Sequence, residues 1–392
     1  MKEKYLYIDK EAIATLAMLK EGLFAPVVAL MDEKTSREVD QTKVYQGKSF
    51  PFSFVLAPSG KRNEEILKSA KKGETIKFVC DGGVVGEIVV DEIFKICKDQ
   101  RIKNIYGTSN PEHLGVKDTY KRLGNYAICG DFNLKFPDIK EHKAQIQEAI
   151  EKTGAKKVSC MMLSGKPFHR VHERIIRSGL VKCDLMVLFI LKPYTDDFIS
   201  FETRYKTLEY FIEHYLPKSR VLLIPLENTY IFGGFNEMLL NAIVAKNYGA
   251  DRIIIGQNHA GLGAFYDKDG LSSIIDTLSG LNIDIDVMSE FVYCNECKTL
   301  VSTSSCPHGS HHHIKYHSPS ILEIFELGML PPAIFMRKEI SSMILSSLFP
   351  ERAPKLKKIH QNLSPSSGLL DDFETTNFYV SLMKLHQTTS LN

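Results

Sequence analysis

Three groups of residues in this 392-residue chain have the types and spacing to do chemistry. The first is a pair of imidazoles, His169 and His172, in Ser164-Gly165-Lys166-Pro167-Phe168-His169-Arg170-Val171-His172-Glu173. Residues three apart on a helix share one face, one turn above the other. At a helix amino terminus, free backbone N–H groups and the dipole favour an anion. Two imidazoles placed there suit hydrogen bonding to a triphosphate and stabilising the charge that develops on its α-phosphate. Lys166 adds a cation.

The second group is Gly256-Gln257-Asn258-His259-Ala260-Gly261-Leu262-Gly263. Its glycines let the backbone come close to a ligand, and Asn258 and His259 can pair with purine edges or phosphate oxygens. The third is Cys294-Asn295-Glu296-Cys297, followed by Cys306-Pro307-His308 and His311-His312-His313. A C-x-x-C knuckle with a third cysteine and a nearby histidine is a tetrahedral zinc set. The polar stretch Lys298–Ser305 has no core of its own, so a metal is expected to hold it. Three thiolates and one imidazole leave no open coordination position, which makes the expected zinc structural. The fourth ligand is either His308 or His311.

The elements that must position these groups follow from the apolar runs. Val158–Leu163, Leu185–Leu191, Val221–Leu226 and Ile253–Ile255 read as buried parallel strands. Phe168–Ser178, Thr203–His214, Asn236–Lys246 and Ser272–Leu278 read as helices between or after them. This alternation predicts an α/β domain with a doubly wound parallel sheet. Ligands on such sheets sit at the carboxyl ends of strands, and the Lys166 and Gly256 turns both follow a strand.

Before this region, residues 1–150 read mainly as short strands, among them Thr75–Cys80 and Val84–Val90 around an Asp81-Gly82-Gly83 turn. One early helix, Lys10 to Glu21, is ended by Gly22. The expected division is a β-rich domain over 1–150 and an α/β domain over 151–316, with its zinc segment at 291–316. A small helical carboxyl-terminal part with its tail, 317–392, completes it; Phe378–Leu385 forms an apolar patch there.

Composition narrows the partners. With 49 basic and 47 acidic residues the net charge is only +2, so neither nucleic acid nor an anionic membrane is expected to bind. The longest strongly apolar run, Leu185–Leu191, is far too short to span a bilayer. Cys80, Cys97, Cys129, Cys160 and Cys183 are scattered and lie mostly in apolar stretches, the pattern of reduced cytoplasmic thiols.

At the histidine and glycine segments the chain resembles the ATP sulfurylase (sulfate adenylyltransferase) family. That family carries Q-T-R-N-P-x-H-R-A-H-E, here Leu163 to Glu173, and G-R-D-H-A-G, here Gly256 to Gly261. Gly22-Leu23-Phe24-Ala25-Pro26 is similar to its G-x-F-x-P, and His113-Leu114-Gly115-Val116 to its H-P-G-V. Ala245-Lys246-Asn247-Tyr248-Gly249-Ala250 is similar to its R-K-N-Y-G. Pro331-Pro332 with Phe335 and Arg337 is similar to its P-P-x-x-F-x-R. Order and spacing hold from about residue 10 to 350.

The resemblance implies a β-rich PUA-like amino-terminal domain, a nucleotidyltransferase α/β domain and a small carboxyl-terminal subdomain. It implies a homo-oligomer that converts ATP, with Mg2+, and sulfate to adenylyl sulfate and pyrophosphate. It places His169 and His172 in catalysis, where Lys166, standing at the family's Asn, adds its cation, and Pro167, Gly256, Asn258, His259, Ala260 and Gly261 against the nucleotide. Some bacterial members carry a similar zinc-binding insertion.

The departures fall on the charged positions. Leu163 and Gly165 stand where the family's Gln and Arg hold sulfate, and Ile231 and Asn236 stand where its M-R-Y-A-G-P-R-E-A segment has arginines. Gln257 and Asn258 replace the Arg and Asp of G-R-D-H-A-G, and Ser318-Pro319-Ser320-Ile321-Leu322 lacks an arginine of a further segment. A divalent oxyanion needs preorganised donors, and each lost contact costs about 3–4 kcal/mol of transition-state stabilisation. Three readings follow: sulfate adenylyl transfer, adenylyl transfer to another acceptor, and ATP binding without catalysis.

Overall fold

A computed structural model describes residues 3–195, 197–233, 236–256, 281–363 and 373–387. It divides into two compact units, residues 1–160 with 225–287 and residues 161–224 with 288–392.

The first unit is built on a five-stranded sheet in the order Lys4–Tyr7, Thr75–Cys80, Gly83–Lys95, Leu123–Leu134, Leu56–Pro58. Its edge pair Lys4–Tyr7 and Thr75–Cys80 is parallel and the other pairs are antiparallel. The long strands Gly83–Lys95 and Leu123–Leu134 slip register between Val90 and Glu92, opposite Gly130. Gly130 has φ +154, and a Cβ there would lie 1.9 Å from the Val89 carbonyl oxygen, so only glycine fits the bulge. Leu6, Phe24, Phe52, Phe78 and Ile88 are among its fully buried side chains.

The expected helix is present as Lys10–Lys20, opened by Asp9 accepting the Ala12 N–H at 2.8 Å. This part of the chain holds more helix than its pattern foretells: Glu33–Thr42, Lys61–Ser69, Lys98–Tyr106, Leu114–Arg122 and Asp138–Thr153. These helices are largely polar. Glu33–Thr42, for example, buries only Ser36 and Val39, so its start is marked by the Asp32 cap on Thr35 and not by an apolar stripe.

A second five-stranded sheet has the order Val221–Glu227, Leu185–Lys192, Val158–Leu163, Arg252–Gly256, Asp284–Met288. Helices Arg170–Leu180, Phe201–Tyr215 and Glu237–Asn247 alternate with the first four of these strands along the chain. The order moves outward from Val158–Leu163 and then returns to its other side. Ligands of α/β sheets bind where strand order reverses, beyond the carboxyl ends. All six residues of Val158–Leu163 are buried, which is why an unbroken apolar run marked it. The expected helix Ser272–Leu278 lies outside the described residues.

In the second unit, a three-stranded sheet orders Thr299–Ser302, Phe291–Cys294 and His313–Ile314. Helices Ser318–Glu326, Lys338–Leu348, Ala353–Leu363 and Thr375–Gln387 follow. Lys338–Leu348 packs on Phe201–Tyr215 and on Thr375–Gln387. The expected apolar patch lies on that last helix, with Phe378, Tyr379 and Met383 buried. No helix among the described residues is long and apolar enough to cross a membrane.

Candidate active site and metal centre

Val158–Leu163 runs into a turn in which Gly165 takes φ +62 and the Lys166–Pro167 peptide is cis. A side chain at Gly165 would be strained by that φ but would meet nothing closer than Leu208 at 4.0 Å. His169 then caps the helix Arg170–Leu180. Its backbone N–H donates to His172 Nδ1 at 3.1 Å, so the His172 ring carries its proton on Nε2.

The two rings stack with centroids 3.9 Å apart. Phe168 stacks with His172 at 5.7 Å, and Tyr316 stands 5.4 Å from His169. His169 is 5% exposed and its Nδ1 has no hydrogen-bond partner among the described residues, while Nε2 is 3.4 Å from Ser318 Oγ. Burial, together with the adjacent His172, holds the His169 imidazole well below the ordinary histidine value. Burial pushes His172 down to about 4. Both rings are therefore neutral at pH 7.

Lys166 Nζ is 2.7 Å from Asp197 Oδ1, and Asp197 Oδ2 accepts from Arg204 at 3.1 Å. Arg204 is 1% exposed and donates to the carbonyls of Ser164, Leu191 and Ile199. It braces the turn from beneath and does not face a ligand. Asp197 was not foreseen, because its partners lie 31 and 7 residues away in sequence with no telling spacing.

Glu173 is buried and binds two arginines. Arg337 reaches its Oε2 through Nε at 3.0 Å and Nη2 at 2.9 Å, and Arg170 through Nη1 at 3.4 Å. Arg337 also lies over the Tyr215 ring at 3.6 Å, and the Arg170 N–H donates to the Phe335 carbonyl at 2.8 Å. The Pro331–Arg337 segment thus clamps the start of the histidine helix.

The cysteine–histidine segment converges on one point. Cys294, Cys297, Cys306 and His308 place their ligand atoms within 4.8 Å of one another. His308 Nδ1 is 3.5, 3.3 and 3.7 Å from the sulfurs of Cys294, Cys297 and Cys306, and Cys297 Sγ is 3.9 Å from Cys306 Sγ. The Cys297 N–H points at Cys294 Sγ at 3.5 Å, and His313 Nε2 approaches Cys306 Sγ at 3.4 Å. The structure brings His308 into this set and leaves His311 tilted against His312 instead, with ring centroids 4.1 Å apart. Such a Cys3His cluster is able to bind a metal ion.

Gly256 ends the strand Arg252–Gly256, and no atom of the described residues lies within 4 Å of where its Cβ would stand. Asn258, His259, Ala260 and Gly261 lie outside the described residues.

The ATP-sulfurylase family model matches residues 137–347, and a PUA-like domain model matches residues 2–135. The chain belongs to the ATP-sulfurylase family. It is 27% identical over 351 residues to the sulfate adenylyltransferase of Carboxydothermus hydrogenoformans, covering 86% of this chain and 91% of the relative. It is also 27% identical to that of a Synechococcus species, with 88% and 89% covered. A solved structure, the hexameric APS kinase from Thiobacillus denitrificans, shares the fold at TM-score 0.63 and 14% identity, covering all of this chain and 75% of that one.

Within this ATP-sulfurylase frame the positions that lost their arginines have other work. Ile231 is fully buried. Asn236 turns its Nδ2 to the carbonyls of Asn104 and Ile105 at 2.8 and 3.0 Å, closing the end of the helix Lys98–Tyr106. Glycines of two family segments flank the ring of Tyr106: a Cβ at Gly115 or Gly233 would lie 2.8 or 2.5 Å from it.

Proposed function

We propose that this chain is an adenylyltransferase that binds ATP at the turn Ser164–His169 and passes the adenylyl group to a small acceptor. The observation that carries this reading is the stacked, neutral pair His169 and His172 at a helix start, in a chain of the ATP-sulfurylase family. An acceptor oxygen attacks the α-phosphorus, the bond to the bridging oxygen breaks, and pyrophosphate leaves. His172 Nε2–H and His169 donate hydrogen bonds to phosphate oxygens as charge builds there, with Lys166 adding a partly balanced cation. Pro167, Gly256, Asn258, His259, Ala260 and Gly261 complete the nucleotide contacts by resemblance to the family. Asp197 and Glu173 are already paired with basic side chains, so Mg2+ enters on the triphosphate. The family resemblance supports a cytoplasmic homo-oligomer, and the division 1–150, 151–316 and 317–392 as its working parts.

Sulfate is the acceptor used by the named relatives, and a second reading replaces it with a less anionic molecule. Leu163 and Gly165 offer no side-chain donor, Asn236 is turned to backbone carbonyls, and Lys166 is shared with Asp197. The test is ATP–pyrophosphate exchange by the purified chain with and without sulfate. Sulfate-dependent exchange selects sulfate, and exchange that requires another acceptor selects the second reading. If there is neither exchange nor thermal stabilisation by saturating ATP, adenylyl transfer is wrong.

The ion of the Cys3His set is proposed to be structural zinc. Tetrahedral Zn2+ with its usual bond lengths spaces sulfurs about 3.8 Å apart and sulfur from nitrogen about 3.6 Å. The separations of 3.9 Å, and of 3.3 to 3.7 Å, fit that geometry. Cys294, Cys297, Cys306 and His308 would hold it, and its chemistry there is to cross-link.

A further inference from the structure

A cavity of about 800 Å3 lies in the first compact unit, away from the histidine turn. One wall is the helix Glu33–Thr42, another is the end of strand Gly83–Lys95, and Ser53 and Val55 close it. At its inner end is Arg101, 4% exposed. Its Nη1 donates to the carbonyl and, at 3.0 Å, the hydroxyl of Ser53, and its guanidinium lies 5.2 Å from the centre of the Phe52 ring. Its Nε–H is buried and has no partner among the described residues. Asp40, a carboxylate of the same lining, accepts from the Ser53 N–H at 2.7 Å and hydroxyl at 3.1 Å. No ion pair joins Arg101 to a carboxylate among the described residues.

A guanidinium removed from water without a counter-ion is costly, and guanidinium edges are built to receive an oxyanion in bidentate fashion. From the helix Glu33–Thr42, Ser36 lines the same cavity; it is 5% exposed and its buried hydroxyl has no hydrogen-bond partner among the described residues. Two residues with orphaned donors thus line one space. Val55, Phe94 and Ile96 give that space an apolar side, and its size falls in the range of small-molecule sites.

We infer that this cavity is a second ligand site, for a small organic molecule that presents one oxyanion group to Arg101 and Ser36 and an apolar body to Phe94. The lining holds Arg37, Lys95 and Arg101 against Glu33 and Asp40, and Arg37 is paired with Glu33. That balance suits a singly charged group and not a triphosphate, which separates this ligand from ATP. The site stands whether or not the chain transfers adenylyl groups.

Cys97 lines the cavity and is exposed, so a bound ligand covers its thiol. The experiment follows alkylation of Cys97 by iodoacetamide in the full chain, by peptide mass spectrometry, with Cys80 as internal control. The probes are benzoate, acetate and inorganic phosphate, each at about 10 mM, enough to fill a site of millimolar affinity. Benzoate is expected to slow Cys97 at least about five-fold, acetate less, and Cys80 not at all. Slowing by phosphate and not by benzoate would make the oxyanion a phosphate; slowing by both leaves the shared oxyanion chemistry. Arg101→Met abolishes the protection. Because that variant also loses a bond to Ser53, Ser36→Ala is the milder check and weakens protection without unfolding the unit. Unchanged Cys97 reactivity with every probe, or protection that survives both substitutions, would overturn the site.

Discussion

Two imidazoles with centroids 3.9 Å apart cannot both carry charge cheaply, and burial already disfavours charge on each. The pair is therefore neutral, and its cost appears in the pH dependence of folding. His172 has its folded value pushed from 6.5 to about 4. The unfolded chain binds more protons between those values, so the stabilising effect of a neutral His172 is complete above about 6.5 and is lost as pH falls toward 4. His169, also lowered, acts in the same direction. We expect the melting temperature to fall between pH 7.5 and 5, and His172→Gln to flatten that slope. A glutamine at this position still reaches back to the His169 N–H but does not titrate. Parallel slopes for the two proteins, measured by differential scanning fluorimetry, would show that His172 does not titrate as described.

Elements here are held by a few cross-links, and each makes a different demand. The sheet of Thr299–Ser302, Phe291–Cys294 and His313–Ile314 has strands of 4, 4 and 2 residues, too small to fold on its own. A metal on the Cys3His set would supply what a core does not. We expect one zinc per chain by mass spectrometry, lost on Cys294→Ser with Cys297→Ser, and faster proteolysis between residues 295 and 312. Zinc content unchanged by the double substitution rules out this assignment. The helix Arg170–Leu180 depends instead on Arg337. Arg337→Ala leaves the buried Glu173 carboxylate with Arg170 alone, at 3.4 Å. Breaking a buried pair outright costs about 3–5 kcal/mol, so with one partner kept we expect about 2 kcal/mol in urea denaturation. Adding Glu173→Gln should recover part of that, and a loss of only a few tenths would show that the clamp is idle.

The same contrast explains what was readable in the sequence. The strand Val158–Leu163 announced itself because every residue of it is buried. The Cys/His cluster did so because its ligands are close in sequence. Helices such as Lys61–Ser69, which buries only Asn63 and Leu67, have no stripe to read. Asp197, Arg204 and the Glu173–Arg337 pair were illegible as partners because folding alone brings them together.

At the scale of the whole molecule, the family boundary and the packing boundary differ. The PUA-like match ends at residue 135, yet the compact unit that contains it also includes residues 136–160 and 225–287. The joints are specific. Asn247 Nδ2 donates to the carbonyls of Leu23 and Ala25 at 2.9 and 3.2 Å, and the Tyr106 hydroxyl to the Tyr230 carbonyl at 3.0 Å. Lys143 Nζ reaches the Glu21 carbonyl at 2.8 Å. The Asn247 bonds tie the G-x-F-x-P segment to the R-K-N-Y-G segment, two family signatures over 200 residues apart, so both segments serve the architecture of this unit. A fragment of residues 2–135 should therefore lose stability that the full chain possesses. Each lost hydrogen bond of this kind is worth about 1 kcal/mol, and Asn247→Ala in the full chain should cost about 1–2 kcal/mol. Urea titrations followed by far-ultraviolet circular dichroism compare the three proteins. The order expected is full chain, then Asn247→Ala, then fragment; a fragment that unfolds at the full chain's midpoint would mean that the PUA-like part stands alone and that these joints contribute nothing.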